Sequence, residues 1–166
     1  MIVLSEAAIR LQGDVIGKPD GPRVLLDAWQ RGVVSNTDLR GLLPDAWTRS
    51  GNDRPEQVIG TQAWVRMFRA AGFVSQPTYL AVPDRTLRIY RGAPERRSRR
   101  MAWSVDPDKA EEHRQRCVRF GEDALVYTAQ VEPAAVLALF GSRAEQEVVV
   151  DPPFLLAHQI YNPRSN

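Results

Sequence analysis

The apolar periodicity of this chain changes at Gly72, and that change restricts the fold more than any other feature of the sequence. Before Gly72, apolar residues recur every three or four positions, the spacing of one helix face. Val58, Ala63, Trp64, Met67, Phe68 and Ala71 follow it after a start at Asp53-Arg54-Pro55, and Gly72 is a natural stop. Pro22 begins an earlier helix through Val24, Leu25, Leu26, Ala28 and Trp29, which Gly32 ends. Ser35 caps a short helix through Leu39, Leu42 and Leu43, expected to break at Pro44.

Beyond Gly72 the period becomes two. Thr86-Leu87-Arg88-Ile89-Tyr90 alternates as a strand does and ends at Arg91-Gly92. A basic loop follows, then a short strand, Met101-Ala102-Trp103-Ser104. Asp106-Pro107-Asp108 combines a cap, a first-turn proline and a first-turn acid, leading into a helix from Lys109 to Arg116. Ala124 to Val131 reads as a strand, and Glu132-Pro133 is expected to open a helical turn through Val136 and Phe140. Glu145 to Val150 and Phe154 to Tyr161 complete the strands. Helices followed by strands argue an α+β fold. The expected division is a helical N-terminal lobe over 1–75 and a β core over 76–166, packed as one compact unit.

Composition narrows the function classes. With 43% hydrophobic and 25% charged residues, the chain has the make-up of a globular protein and not of a disordered one. No apolar run reaches the roughly 20 residues of a membrane span, and Met1 to Glu6 lacks the basic start of a signal peptide. A cytoplasmic location is expected. The single cysteine, Cys117, excludes an internal disulfide, and with only His113 and His158 beside it no zinc set is expected.

Net charge is +2, but the stretch from Arg85 to Arg100 holds seven Arg and one Glu, a local +6 that leaves −4 for the rest. Such asymmetry points to an anionic partner, a phosphate-bearing ligand or nucleic acid, unless the run is a solvated loop. Nucleic acid would be met through Arg96, Arg97, Arg99 and Arg100. No aromatic residue lies within Arg96-Arg97-Ser98-Arg99-Arg100, and this disfavours nucleic acid, whose binders interleave aromatics with basic residues.

Three segments carry candidate chemistry: Tyr90-Arg91-Gly92, Trp103-Ser104 and Glu145-Gln146-Glu147, the last entering Val148-Val149-Val150. Side chains two apart on a strand share a face, so Glu145 and Glu147 point the same way. Paired carboxylates near an arginine and a hydroxyl suit cleavage of a glycosidic bond, one stabilising an oxocarbenium and the other taking a proton from the acceptor. The alternative for Glu-x-Glu is a solvated sheet face.

An arginine ending a first strand, a hydroxyl on a second and Glu-x-Glu at the mouth of a later one resemble the Arg–Ser–Glu class of NAD-dependent ADP-ribosyltransferases, including small bacterial and phage proteins with that core. The resemblance runs from Thr86 to the C-terminus. It implies a split antiparallel β core with NAD, the substrate, in its cleft, and no metal. It implies that Arg91 contacts an NAD phosphate or the nicotinamide-proximal ribose, and that Gly92 lets the backbone approach the carboxamide. Ser104 would support the ribose side, Glu147 the oxocarbenium, and Glu145 the acceptor, with arginine favoured. Tyr90 and Trp103 would stack on a ring or pack in the core. A protein acceptor is the expected partner, with an antitoxin or immunity protein as a second one. The competing readings are an NAD glycohydrolase toxin and a non-enzymatic module that binds nucleic acid or protein through the basic loop at 85–100.

Overall fold

The computed structural model describes residues 2–14, 16–49, 55–76, 80–141 and 147–162. The chain is α+β and forms two compact units, Met1–Thr78 and Tyr79–Asn166. Among the described residues, no helix is long and apolar enough to cross a membrane.

The first unit holds helices α1 (Glu6–Asp14), α2 (Gly21–Gln30), α3 (Asn36–Thr48), α4 (Glu56–Ile59) and α5 (Thr61–Ala71), then a short strand β1 (Val74–Gln76). Its core joins α3 and α5. Trp47 meets Trp64 edge-on at 4.9 Å, and Trp64 stacks on Phe68 at 5.9 Å. Ser35 caps α3 in a reciprocal capping box with Asp38. Burial raises the Asp38 pKa, but hydrogen bonds from Ser5 and Ser35 outweigh it and keep the carboxyl below its ordinary value.

Two sequence expectations change here. The helix opened by Ser35 does not break at Pro44 but runs on to Thr48. A proline inside a helix costs about 3 kcal/mol. Leu42, Leu43, Ala46 and Trp47 are all buried around it, and each large apolar side chain buried recovers about 1.5–3 kcal/mol. The helix following Pro55 is instead two helices. Gly60, at φ +83°, ends α4 and starts α5.

The second unit places six strands side by side in the order β5-β6-β3-β2-β4-β7. They are β2 (Leu87–Ala93), β3 (Ala102–Ser104), β4 (Leu125–Val131), β5 (Val136–Phe140), β6 (Glu147–Val150) and β7 (Leu156–Ile160). Each neighbouring pair among these six is antiparallel. The helical turn expected through Val136 and Phe140 is a single 3₁₀ turn, Pro133–Ala135, followed by strand β5. All five β5 residues are buried. A run that is apolar on both faces carries no period to tell strand from helix.

Helix α6 (Pro107–Arg119) leaves β3 and crosses β2. Asp106 caps it, its carboxylate accepting from the Asp108 amide at 2.9 Å. The crossing falls on Gly92, where a Cβ would overlap the Ala110 carbonyl and the Arg114 amide. Both obstacles are backbone and cannot swing aside. Gly92→Ala is therefore expected to lower unfolding stability by about 3 kcal/mol, the upper end for overpacking, in a denaturant titration. A wild-type midpoint in that variant would mean that α6 does not sit on Gly92.

Candidate functional site

Strand register assembles part of the expected constellation. Tyr90 on β2 pairs with Ser104 on β3, and Ser104 pairs with Glu147 on β6. Directly paired residues on neighbouring strands project to the same face. Adjacent strands lie about 4.8 Å apart, so Tyr90, Ser104 and Glu147 form one row about 10 Å long across the sheet. Ser104 ends its strand and Glu147 begins its own, so the row sits at the ends of both strands.

Within the row, the Ser104 hydroxyl accepts from the Asp106 amide at 3.0 Å. That bond fixes the oxygen at the entry to α6, and the hydroxyl hydrogen remains as a donor. Glu147 is half-buried. Tyr90 is 9% exposed and meets Tyr161 edge-to-face at 4.9 Å. Glu145 lies outside the described residues.

Arg91 belongs to the other face of β2. Its Nε donates to the Arg97 carbonyl at 2.9 Å and its Nη1 to the Ala102 carbonyl. The guanidinium thus ties the basic loop and the start of β3 to the end of β2. Exposed Arg88, two residues before Tyr90, shares the face of Ser104 and Glu147 by alternation. Sequence reasoning passed over Arg88, and only the register distinguishes the two arginines.

Of the two readings of Trp103, the structure takes core packing: it is 3% exposed, and its indole donates to the Arg100 carbonyl at 2.7 Å. Alternation along β3 turns it away from Ser104 into the core. The side of Gly92 expected to be open is filled by α6. Arg97 is not a solvated loop cation. It is 8% exposed, ion-paired with Glu122, and within 3.8 Å of the Cys117 sulfur. Arg96 pairs with the same carboxylate at 2.6 Å.

On the Trp103 face, Tyr127 and His158 stack with ring centroids 5.2 Å apart, and His158 meets Trp103 edge-on at 6.1 Å. A register irregularity between β4 and β7, with Ala157 at φ +48°, precedes the histidine. No sequence signal joins these residues, since strand pairing alone brings them together.

No metal-capable cluster of three or more His, Cys, Asp or Glu occurs among the described residues. No family model, curated protein or solved structure matches the chain.

Burial, and then the positive charge of Arg99, hold the His158 pKa below 6.5, against a hydrogen bond with the Ser98 backbone that raises it. The unfolded chain therefore takes up the proton first as pH falls. The stability contributed by neutral His158 is complete above the unfolded pKa of about 6.5 and is lost as pH drops towards the lowered folded-state value. The thermal midpoint should fall in that window for the wild type, and fall less in His158→Gln. Parallel profiles for the two proteins would remove the histidine as the cause.

Proposed function

We propose that the chain is a mono-ADP-ribosyltransferase that cleaves NAD and passes ADP-ribose to a macromolecular acceptor, an arginine side chain being favoured. The observation that carries this reading is the direct pairing of Ser104 with both Tyr90 and Glu147. Segments distant in sequence, singled out for their chemistry, fall into one row. The six-strand order is likewise compatible with a split ADP-ribosyltransferase core.

In the proposed reaction, the Glu147 carboxylate accepts a hydrogen bond from the 2′-hydroxyl of the nicotinamide ribose and faces the positive charge developing on the sugar. The glycosidic bond breaks, its electron pair leaving with nicotinamide, and an acceptor nitrogen attacks the oxocarbenium. The acceptor's proton passes to a base, and Glu145 is proposed for that task from its place in Glu-x-Glu. Ser104, held by the Asp106 amide, donates to Glu147 or to the ribose. The diphosphate is proposed to meet Arg88, which shares the row's face, while Arg91 holds the loop and β3 in position. The nucleic-acid-binding alternative is weakened because two of its four arginines, Arg96 and Arg97, are paired with Glu122.

Glu147→Gln keeps the shape but removes the charge on which this reading relies. Loss of one such electrostatic contact costs about 10²–10³ in rate. Nicotinamide release from NAD should fall by that factor, with or without an acceptor, while the folded state persists. Release by the wild type that is unchanged in Glu147→Gln would contradict the assignment, and no release from the wild type would contradict the enzyme.

A further inference from the structure

The Tyr127–His158 stack forms one side of a cleft of about 570 Å³ within the second unit. Tyr127 pairs with Arg91 across the strands and so lies on the face opposite the Tyr90–Ser104–Glu147 row. Tyr127 itself is only 5% exposed. It lines the cleft, its hydroxyl has no hydrogen-bond partner among the described residues, and that oxygen is not one of the fully buried atoms left without a partner, so it reaches the open space of the cleft. The hydroxyl is therefore a polar group presented to whatever fills the cleft.

The charges around the cleft are ordered. Glu95 and Asp123 both line it, both are exposed, and both act on Tyr127: burial first, then these two carboxylates, raise its pKa. Arg99 lines it too and acts on His158. Negative charge thus gathers beside the phenol and positive charge beside the imidazole. Leu125 and Ile160, 44% and 58% exposed, supply apolar wall. Burial and Arg99 favour neutral His158, so the imidazole adds no second cation to the Arg99 end.

We propose that this cleft binds a ligand with a guanidinium or ammonium group at one end and a carboxylate at the other, the chemistry of a basic amino acid or of a basic residue at a polypeptide C-terminus. The cationic head sits between Glu95 and Asp123 and donates to the Tyr127 oxygen. The methylene stem covers Leu125 and Ile160, as long basic side chains do on apolar surface. The carboxylate meets Arg99, whose planar fork matches its two oxygens. The volume lies within the range of about 300–1,000 Å³ typical of small-molecule sites. The proposal shares no residue with the row assigned to NAD and stands whether or not that reading holds.

The test is a titration of the full chain, followed by calorimetry and amide NMR, with L-arginine, L-lysine, argininamide and a short peptide ending in arginine with a free carboxylate. Saturable binding of an amino acid or of the peptide is expected, with shifts at Tyr127 and Gln159. If only the peptide binds, the occupant is a chain terminus; if the free amino acid binds as well as the peptide does, it is a small molecule. The double variant Glu95→Gln/Asp123→Asn should weaken binding at least about tenfold, equivalent to about 1.4 kcal/mol. Arginine should bind the wild type more tightly than argininamide does, and Arg99→Gln should erase that difference. All three substituted residues are solvent-exposed, and an unchanged far-UV spectrum establishes that the variants fold. No saturable binding of any ligand to the wild type, or equal affinity in the double variant, overturns the proposal.

Discussion

A helix backbone can touch a strand only where the strand has no side chain, and the contact of α6 with Gly92 is the constraint on which the second unit depends. The helix begins immediately beyond Ser104 and Asp106, so its approach to β2 also fixes the end of β3. That end carries the hydroxyl that pairs, through the strand register, with Tyr90 on one side and Glu147 on the other. A side chain at residue 92 would push α6 outward and strain the junction that holds Ser104. The glycine thus serves the row by admitting the helix, and no approach of a ligand to its backbone is needed to explain it.

The arginine-rich stretch has a similar internal explanation for much of its charge. Arg91 holds two backbone carbonyls, and Arg97 and Arg96 share Glu122. Burying a guanidinium is costly unless it is paired and hydrogen-bonded. Arg97 is paired, although its Nη1 is buried without a hydrogen bond in the described residues. The loop is therefore anchored by these cations to β2, to β3 and to Glu122 beyond α6. Among the exposed arginines of the stretch, Arg99 lies beside the Tyr127 cleft and Arg88 on the face of Ser104 and Glu147.

Local signals in the sequence were dependable where one element decided the outcome. The Ser35 cap, the Asp106-Pro107-Asp108 start and the alternation before Tyr90 each produced the expected element. They failed where tertiary burial overrode a local rule, as at Pro44, or where burial on both faces erased the period, as in β5. At the candidate site, chemistry picked out Ser104 and Glu147, which the register makes neighbours. The same reading could not tell which face Arg91 occupies, because that depends on counting from Tyr90 in a register set by β3 and β4. The Tyr127–His158 cleft was invisible for the same reason: its members come from separate strands and loops and share no motif.

The proposed function requires NAD to meet the row of Tyr90, Ser104 and Glu147, and residue-resolved amide NMR during an NAD titration tests that contact directly. The largest shifts should fall at Tyr90, Ser104 and Glu147, with Arg88 following them and the Tyr127 cleft nearly unchanged. An unperturbed spectrum at saturating NAD, or shifts confined to Glu95, Asp123 and Tyr127, would contradict it.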